Sequence, residues 1–243
     1  MTCEAVFVSA TGPDGAGKDT AWRVVRDLLP KDLKIVKIGK PSSVVTDGQE
    51  QFVQIGISRS LDKLHERADR TRNHRFITMA NFLYVMFQWR LQEPYWTKRI
   101  KPDLVFSLRD GYVDPSAYAP FYASDSLGKI GIPGRIAFLR SLHGSPFRNY
   151  TLFLDIMPQI AVERIKLRIE GEKKLKADIK RPKWQHEHEN LEGLTRIRGE
   201  YYLVLKYIEE YCMTKVQKFD VSKTSKLDAG LFFRDFILMA VDS

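Results

Sequence analysis

Thr11-Gly12-Pro13-Asp14-Gly15-Ala16-Gly17-Lys18-Asp19-Thr20 matches the phosphate-loop pattern G-x-x-x-x-G-K-[ST] at every position but the last. The apolar run Ala5-Val6-Phe7-Val8 before it reads as a buried strand. The segment Ala21 to Leu29 after it reads as a helix, with apolar Ala21, Val24, Val25 and Leu28 at helical spacing. Gly12, Gly15 and Gly17 would let the backbone turn its N–H groups inward around a phosphate, with Pro13 and Ala16 between them in the same loop. The helix N-terminus adds partial positive charge and Lys18 a full one. Asp19 stands where a hydroxyl would ordinarily meet magnesium, and a carboxylate beside phosphates is repelled unless a cation lies between them. Two arrangements reconcile it: Asp19 meets the metal itself, or it points away and Thr20 supplies the hydroxyl. A third reading is a loop that binds phosphate but catalyses poorly.

Outward from the loop, short β-branched or aromatic runs alternate with helical stretches. Candidate strands are Ala5–Ala10, Leu33–Ile38, Leu104–Leu108, Thr151–Ile156 and Lys215–Val221. Candidate helices include Phe76–Leu91, apolar almost all round, Pro158–Arg168, Leu191–Tyr211 and Leu227–Val241. This alternation implies an α/β fold, a doubly wound five-stranded parallel sheet flanked by helices. The 243 residues, 44% hydrophobic, suit a single domain over 1–243 with an excursion. The stretch Ser124–Gly144 reads as an irregular connection or short helices. The apolar helix could lie in the interior or in a homodimer interface.

The formal net charge is +9, and Lys173, Lys174, Lys176, Lys180, Arg181 and Lys183 crowd one segment. That segment reads as a solvated basic face or as a basic lid over anionic substrates, at about 168–190. It carries Trp184 but no interleaved aromatics, which argues against nucleic acid. His186 and His188 are two apart, a spacing that puts them on opposite sides of a strand or loop rather than on one helix face. Only Cys3 and Cys212 are present, far apart, which points to a reducing, cytoplasmic compartment. No secretory signal and no apolar run of membrane-spanning length is evident, so no membrane partner is expected.

With these motifs placed, the chain resembles the thymidylate kinase family of P-loop nucleoside monophosphate kinases. Gly12-Pro13-Asp14-Gly15-Ala16-Gly17-Lys18 is similar to that family's G-x-D-G-x-G-K. Leu154-Asp155-Ile156-Met157-Pro158-Gln159 through Arg164 resembles its L-D-v-x-P-E run, and Arg198 precedes Tyr201 as in its R-x-x-Y. Tyr112-Val113-Asp114-Pro115-Ser116-Ala117-Tyr118 resembles Y-V-D-S-S-x-A-Y. Phe219-Asp220-Val221-Ser222 resembles the last strand and the loop bordering the adenine.

The resemblance implies a P-loop kinase fold with a lid and ATP-dependent, magnesium-assisted phosphoryl transfer to a nucleoside monophosphate. It implies that Lys18 and the loop, through Thr20 and with Ser222, hold ATP, and that Asp14 faces the acceptor. Asp19, Thr20 and Asp110 are then the metal candidates. Arg168 or Arg181 would stabilise the transferring phosphoryl. Lys40, Arg75, Phe82, Arg109 and Tyr118 line the acceptor side.

Three departures from the family pattern matter. In Ser107-Leu108-Arg109-Asp110-Gly111-Tyr112 the family's Asp-Arg pair is out of register; Arg109 is expected on the acceptor phosphate and Asp110 near magnesium, the alternative being a surface ion pair capping a loop. Gly39-Lys40-Pro41 replaces Arg-Glu-Pro, leaving Lys40 as a point charge. Phe82 follows Met79-Ala80-Asn81 where the family reads thymine with arginine; it can stack on a base but cannot donate a hydrogen bond. The base therefore stays open. A kinase of another small acceptor, such as a nucleoside, and a catalytically impaired nucleotide-binding module compete.

Overall fold

The computed structural model describes residues 5–70, 74–175 and 188–243, the side chains of residues 65, 69, 70, 74, 75 and 172–175 excepted. Seven strands form one mixed sheet: β1 (Val6–Thr11), β2 (Ile35–Ile38), β3 (Ser42–Thr46), β4 (Gln49–Val53), β5 (Leu104–Ser107), β6 (Tyr150–Asp155) and β7 (Lys215–Asp220). Their order is β4-β3-β2-β5-β1-β6-β7. The β2, β5, β1, β6 and β7 strands run parallel. They correspond to the five strands expected from the sequence.

The expected five-stranded parallel sheet is therefore corrected to seven strands, mixed. β3 pairs antiparallel with β2, and β4 with β3. The cause is local. Asp47 (φ 52°) and Gly48 (φ 71°) both adopt left-handed backbone, the two-residue turn that matches the twist of a hairpin. Thr46 faces Gln49 across it. An Asp-Gly pair flanked by Val44-Val45 and Phe52-Val53 carries that signal in the sequence. The hairpin is fastened at Glu50, which accepts from Ser43 Oγ at 2.5 Å and pairs with Arg26 (2.9 Å) and Lys37 (3.6 Å).

Side chains alternate across the parallel strands, as a pleated sheet covered on both faces requires. Val8, Ala10, Leu104, Phe106, Leu152 and Leu154 face α1 (Lys18–Leu28), α7 (Pro158–Leu175) and α9 (Lys226–Val241). Trp22 of α1 stacks on Phe106 with ring centroids 4.6 Å apart, and Phe233 of α9 meets Phe106 edge-on at 5.4 Å. On the opposite face Phe153 packs with α5 (Val113–Tyr122), α6 (Ile132–His143) and α8 (Leu191–Tyr211). Phe7, Val36, Ile38 and Val105 pack there with Trp89, Trp96 and Ile100.

The expected helix Phe76–Leu91 lies in a longer helical run. α3 (His74–Met86) passes through a π-helical turn, Phe87–Gln92, into α4 (Glu93–Ile100), and α2 (Ser58–Arg70) precedes it. Pro158–Arg168 extends to Leu175, and Ser124–Gly144 contains a short 3-10 turn and α6. No helix among the described residues is long and apolar enough to cross a membrane.

The Arg198–Tyr201 and Leu154–Asp155 motifs meet in space. Arg198 of α8 donates to both oxygens of Asp155 at 2.7 Å, and Tyr202 adds 2.6 Å. Burial pushes the Asp155 carboxyl up, but these donors outweigh it and hold the group below its usual range. The stabilisation is thus present at neutral pH and is lost as pH falls through the lowered pKa, because the unfolded chain binds the proton first. Arg198→Leu should cost about 1.5–3 kcal/mol at neutral pH and less in acid, measured by denaturant unfolding at several pH values.

Candidate functional site

The carboxyl ends of β1, β2, β5 and β7, with α7 beside them, open into one cleft of ≈ 1090 Å³. In open parallel sheets this edge is where ligands bind, at the point where the strand order reverses. Here the reversal lies at β1: the chain passes from β1 to β2 on the β5 side and later to β6 and β7 on the other side.

The turn from β1 into α1 is held by glycine chemistry. Gly12 (φ 149°) approaches β6 so closely that a Cβ would stand 2.5 Å from the Leu154 carbonyl oxygen. Gly15 (φ 86°) lies against α7, where a Cβ would meet the Ala161 carbonyl oxygen at 2.9 Å. Gly17 has open space around it but a φ of 83°, and it is the N-cap of α1. No side chain caps this helix. Its leading N–H groups have no intrahelical acceptor, so they point into the cleft as open donors beside a positive helix end.

Lys18 is buried, and its ammonium donates to the Gly12 carbonyl and, at 3.2 Å, to that of Pro13. Burial and the neighbouring Arg109 charge push its pKa down, Asp14 and Asp114 opposing. An anion entering the cleft there would add to the counter-charge of Asp14 and Asp114. Asp19 is exposed and Thr20 half-buried in the first turn of α1, and both line the cleft. The pair offers a carboxylate and a hydroxyl at the phosphate edge, which fits a hard divalent cation.

Besides Asp19, three carboxylates surround this turn, and their roles separate. Asp110 is buried; its Oδ1 accepts from the backbone N–H groups of Tyr112 (2.8 Å) and Val113 (2.9 Å), and its Oδ2 from Ser9 Oγ (2.9 Å). It therefore caps the start of α5, although it also lines the cleft. Asp114 accepts from Thr11 Oγ1 (2.7 Å), the Asp110 N–H (2.6 Å) and Tyr201 OH (2.7 Å). Burial raises its pKa despite the charges of Arg109 and Lys18. Asp114 thus joins β1, α5 and α8 beneath the loop, a role the sequence motif contained but did not reveal. Asp14 faces the cleft, with Tyr118 OH donating to Oδ2 at 3.0 Å and Arg109 3.7 Å from Oδ1.

The remaining expected residues fall on two walls. On one, Lys40 pairs with Asp62 (3.7 Å) and lies over the Tyr84 ring (5.5 Å). Phe82, edge-on to Phe138 at 5.5 Å, stands there with Tyr84, Val85 and Trp89. Gln88, in the π-turn, donates to the Gly39 carbonyl and to Tyr84 OH, both at 2.8 Å. Such turns interrupt α-helices frequently at functional sites, and nothing in the sequence pattern marks this one. Tyr118 is fully buried between Asp14 and Tyr122. Arg168, on the other wall, pairs with Glu189 at 3.1 Å and lies near Arg164 and Lys226. Ser222 accepts from the Met157 N–H at 2.9 Å and joins β7 to the start of α7, while its neighbours Val221, Thr224 and Ser225 line the cleft. Arg181, the Arg75 side chain, His186 and most of the basic segment lie outside the described residues.

No known family model matches the chain, and no relative was found among curated proteins.

Lys18→Ala should lower affinity for a nucleoside triphosphate about 10- to 100-fold, the value of a charge-assisted hydrogen bond, with the thermal unfolding curve retained. Calorimetric titration with a non-hydrolysable ATP analogue measures it.

Proposed function

We propose that the protein is an ATP-dependent nucleoside monophosphate kinase of the thymidylate kinase type. The observation that supports this best is the uncapped N-terminus of α1 beside the buried Lys18, with Arg109 reaching Asp14 across the same cleft. One side supplies donors for a triphosphate and the other a cation for a second phosphate. The volume of ≈ 1090 Å³ lies just above the about 300–1,000 Å³ range typical of a single ligand, as a donor and an acceptor together need.

Phosphoryl transfer asks little covalent chemistry of a protein and much positioning and charge. On this reading the α1 N–H groups and Lys18 hold the β- and γ-phosphates. Arg109 orients the acceptor phosphate, with Lys40 contributing charge at the same wall. Arg164 and Arg168 face the triphosphate from α7. Asp19 and Thr20 would hold magnesium, which when bound neutralises charge on the phosphate oxygens. The Asp110 carboxylate already caps α5, so Asp19 is the better placed of the two for the metal. The acceptor base would lie against Phe82, Tyr84 and Trp89. No arginine among the described side chains fills the family's thymine-reading position, so the reading names the acceptor class and leaves the base to assay.

ADP formation from ATP and magnesium across all natural nucleoside monophosphates and nucleosides is the deciding experiment. Transfer to at least one monophosphate is expected. Transfer to nucleosides alone would change the acceptor class, and tight ATP binding without any transfer would leave a nucleotide-binding module. With the acceptor known, Arg109→Ala should raise the acceptor KM about 10- to 100-fold and the ATP KM far less.

A further inference from the structure

His188 occupies the turn that enters α8, and its imidazole is almost wholly buried. The turn is shaped by two neighbours. Asn190 caps α8, its side chain accepting from the Gly193 N–H at 2.8 Å. Gly193 then permits an approach in which a Cβ would stand 2.7 Å from both the His188 Cα and its carbonyl oxygen. That contact sends the imidazole inward against the edges of the Tyr118 and Tyr122 rings, at 5.7 and 5.9 Å. Its Nε2 lies 3.3 Å from Oδ2 of Asp14, the same oxygen that accepts from Tyr118 OH at 3.0 Å. The other oxygen, Oδ1, faces Arg109 at 3.7 Å.

We infer that His188 is a positioning residue: with Tyr118 it pins one oxygen of Asp14, so that the carboxylate meets Arg109 through the other oxygen alone. The inference rests on the kinase reading for its consequence, since Arg109 is then free to turn onto an acceptor phosphate. A carboxylate released from Oδ2 would take the guanidinium in the two-pronged geometry, the stronger and more specific form of that pair. Arg109 would then be neutralised at the position where its charge is needed.

The surroundings agree. Burial pushes the Asp14 carboxyl up, but the His188 hydrogen bond and the Arg109 and Lys18 charges outweigh it and hold the group well below the usual carboxylate range. Burial and the Asp14 charge push the Tyr118 phenol far up, so it remains a donor. Glu189 stands beside His188 and is paired with Arg168 at 3.1 Å. A metal ion shared by Asp14, His188 and Glu189, whose donor atoms lie within 4.8 Å of one another, does not fit: Arg109 and Arg168 already meet the two carboxylates with positive charge.

Three variants of the full chain test this. His188→Phe keeps a ring against Tyr118 and Tyr122 and removes the donor. His188→Gln places an amide N–H close to the position of Nε2. His188→Asn, whose amide falls short of Oδ2, repeats the loss should the phenylalanine variant fold poorly. The readouts are a carbon-13 NMR titration of the Asp14 carboxyl, assigned with Asp14→Asn, and the acceptor and ATP KM values. In His188→Phe the carboxyl should titrate higher, toward the usual range, and the acceptor KM should rise about 10-fold with the ATP KM little changed. His188→Gln should restore both. The inference falls if the donor-free variants leave the titration and the acceptor KM unchanged, or if His188→Gln fails as badly as they do. If the protein transfers phosphate to no nucleotide, the titration still decides: a shift that glutamine reverses upholds the pinning of Asp14 while the kinase reading fails.

Discussion

The closeness with which the Gly12–Gly17 turn approaches β6 and α7 constrains everything at the cleft. A side chain at Gly12 would strike the Leu154 carbonyl, and one at Gly15 the Ala161 carbonyl. Because neither glycine has one, β1 can hand over to α1 without leaving the sheet surface, and α1 begins with its open N–H groups facing outward at the carboxyl edge. The same approach brings Asp14 within reach of Tyr118 on α5 and Arg109 after β5. Widening the turn by a single methyl would displace helix, lysine and carboxylate together.

Below the turn, buried carboxylates perform structural work that frees others to meet a ligand. Asp110 and Asp114 each accept three hydrogen bonds and join β1, α5 and α8, while Asp155 binds β6 to Arg198 and Tyr202. Leaving any of these oxygens buried and unpaired would cost about 1–3 kcal/mol or more. Their satisfaction makes the platform rigid. Asp14 and Asp19 differ: one is held at the cleft wall by two donors and a guanidinium, and the other is exposed in the first turn of α1.

The parallel strands were legible because each is a short, uninterrupted apolar run ending at a turn, and burial on both faces leaves little else such a run can be. The turn from β1 into α1 was legible because its glycines have a narrow steric purpose. The hairpin at Asp47-Gly48 carried a local signal that the polar β4 strand, Gln49-Glu50-Gln51, obscured, since that edge strand faces water and shows no apolar run. The π-turn left no trace, because its apolar side chains suit an α-helix equally well. Asp110 and Arg109 are adjacent in sequence yet serve different ends: one caps a helix and the other faces the cleft. Residue type cannot distinguish these roles until the direction of α5 is known. His188 was hidden for the same reason: its meaning depends on Gly193, five residues on, letting the turn close tightly enough to aim the imidazole at a loop far away in the chain.

Charge at the cleft follows from this geometry more than from the net +9 of the chain. Many basic residues lie on exposed surfaces, where screening within about 10 Å makes them weak. Lys18 acts differently because it is buried, and Arg109, although its side chain is more than half exposed, opens onto the same cavity, walled by Phe82, Tyr84, Val85 and Trp89, where field lines concentrate. In such a site each cation needs a partner while no ligand is present. Lys18 takes the loop carbonyls of Gly12 and Pro13, and Arg109 takes one oxygen of Asp14. Both partners are weaker than a phosphate: the carbonyls carry no formal charge, and the carboxylate is already shared with Tyr118. The cleft therefore stores its cations against partners that an anionic ligand can replace.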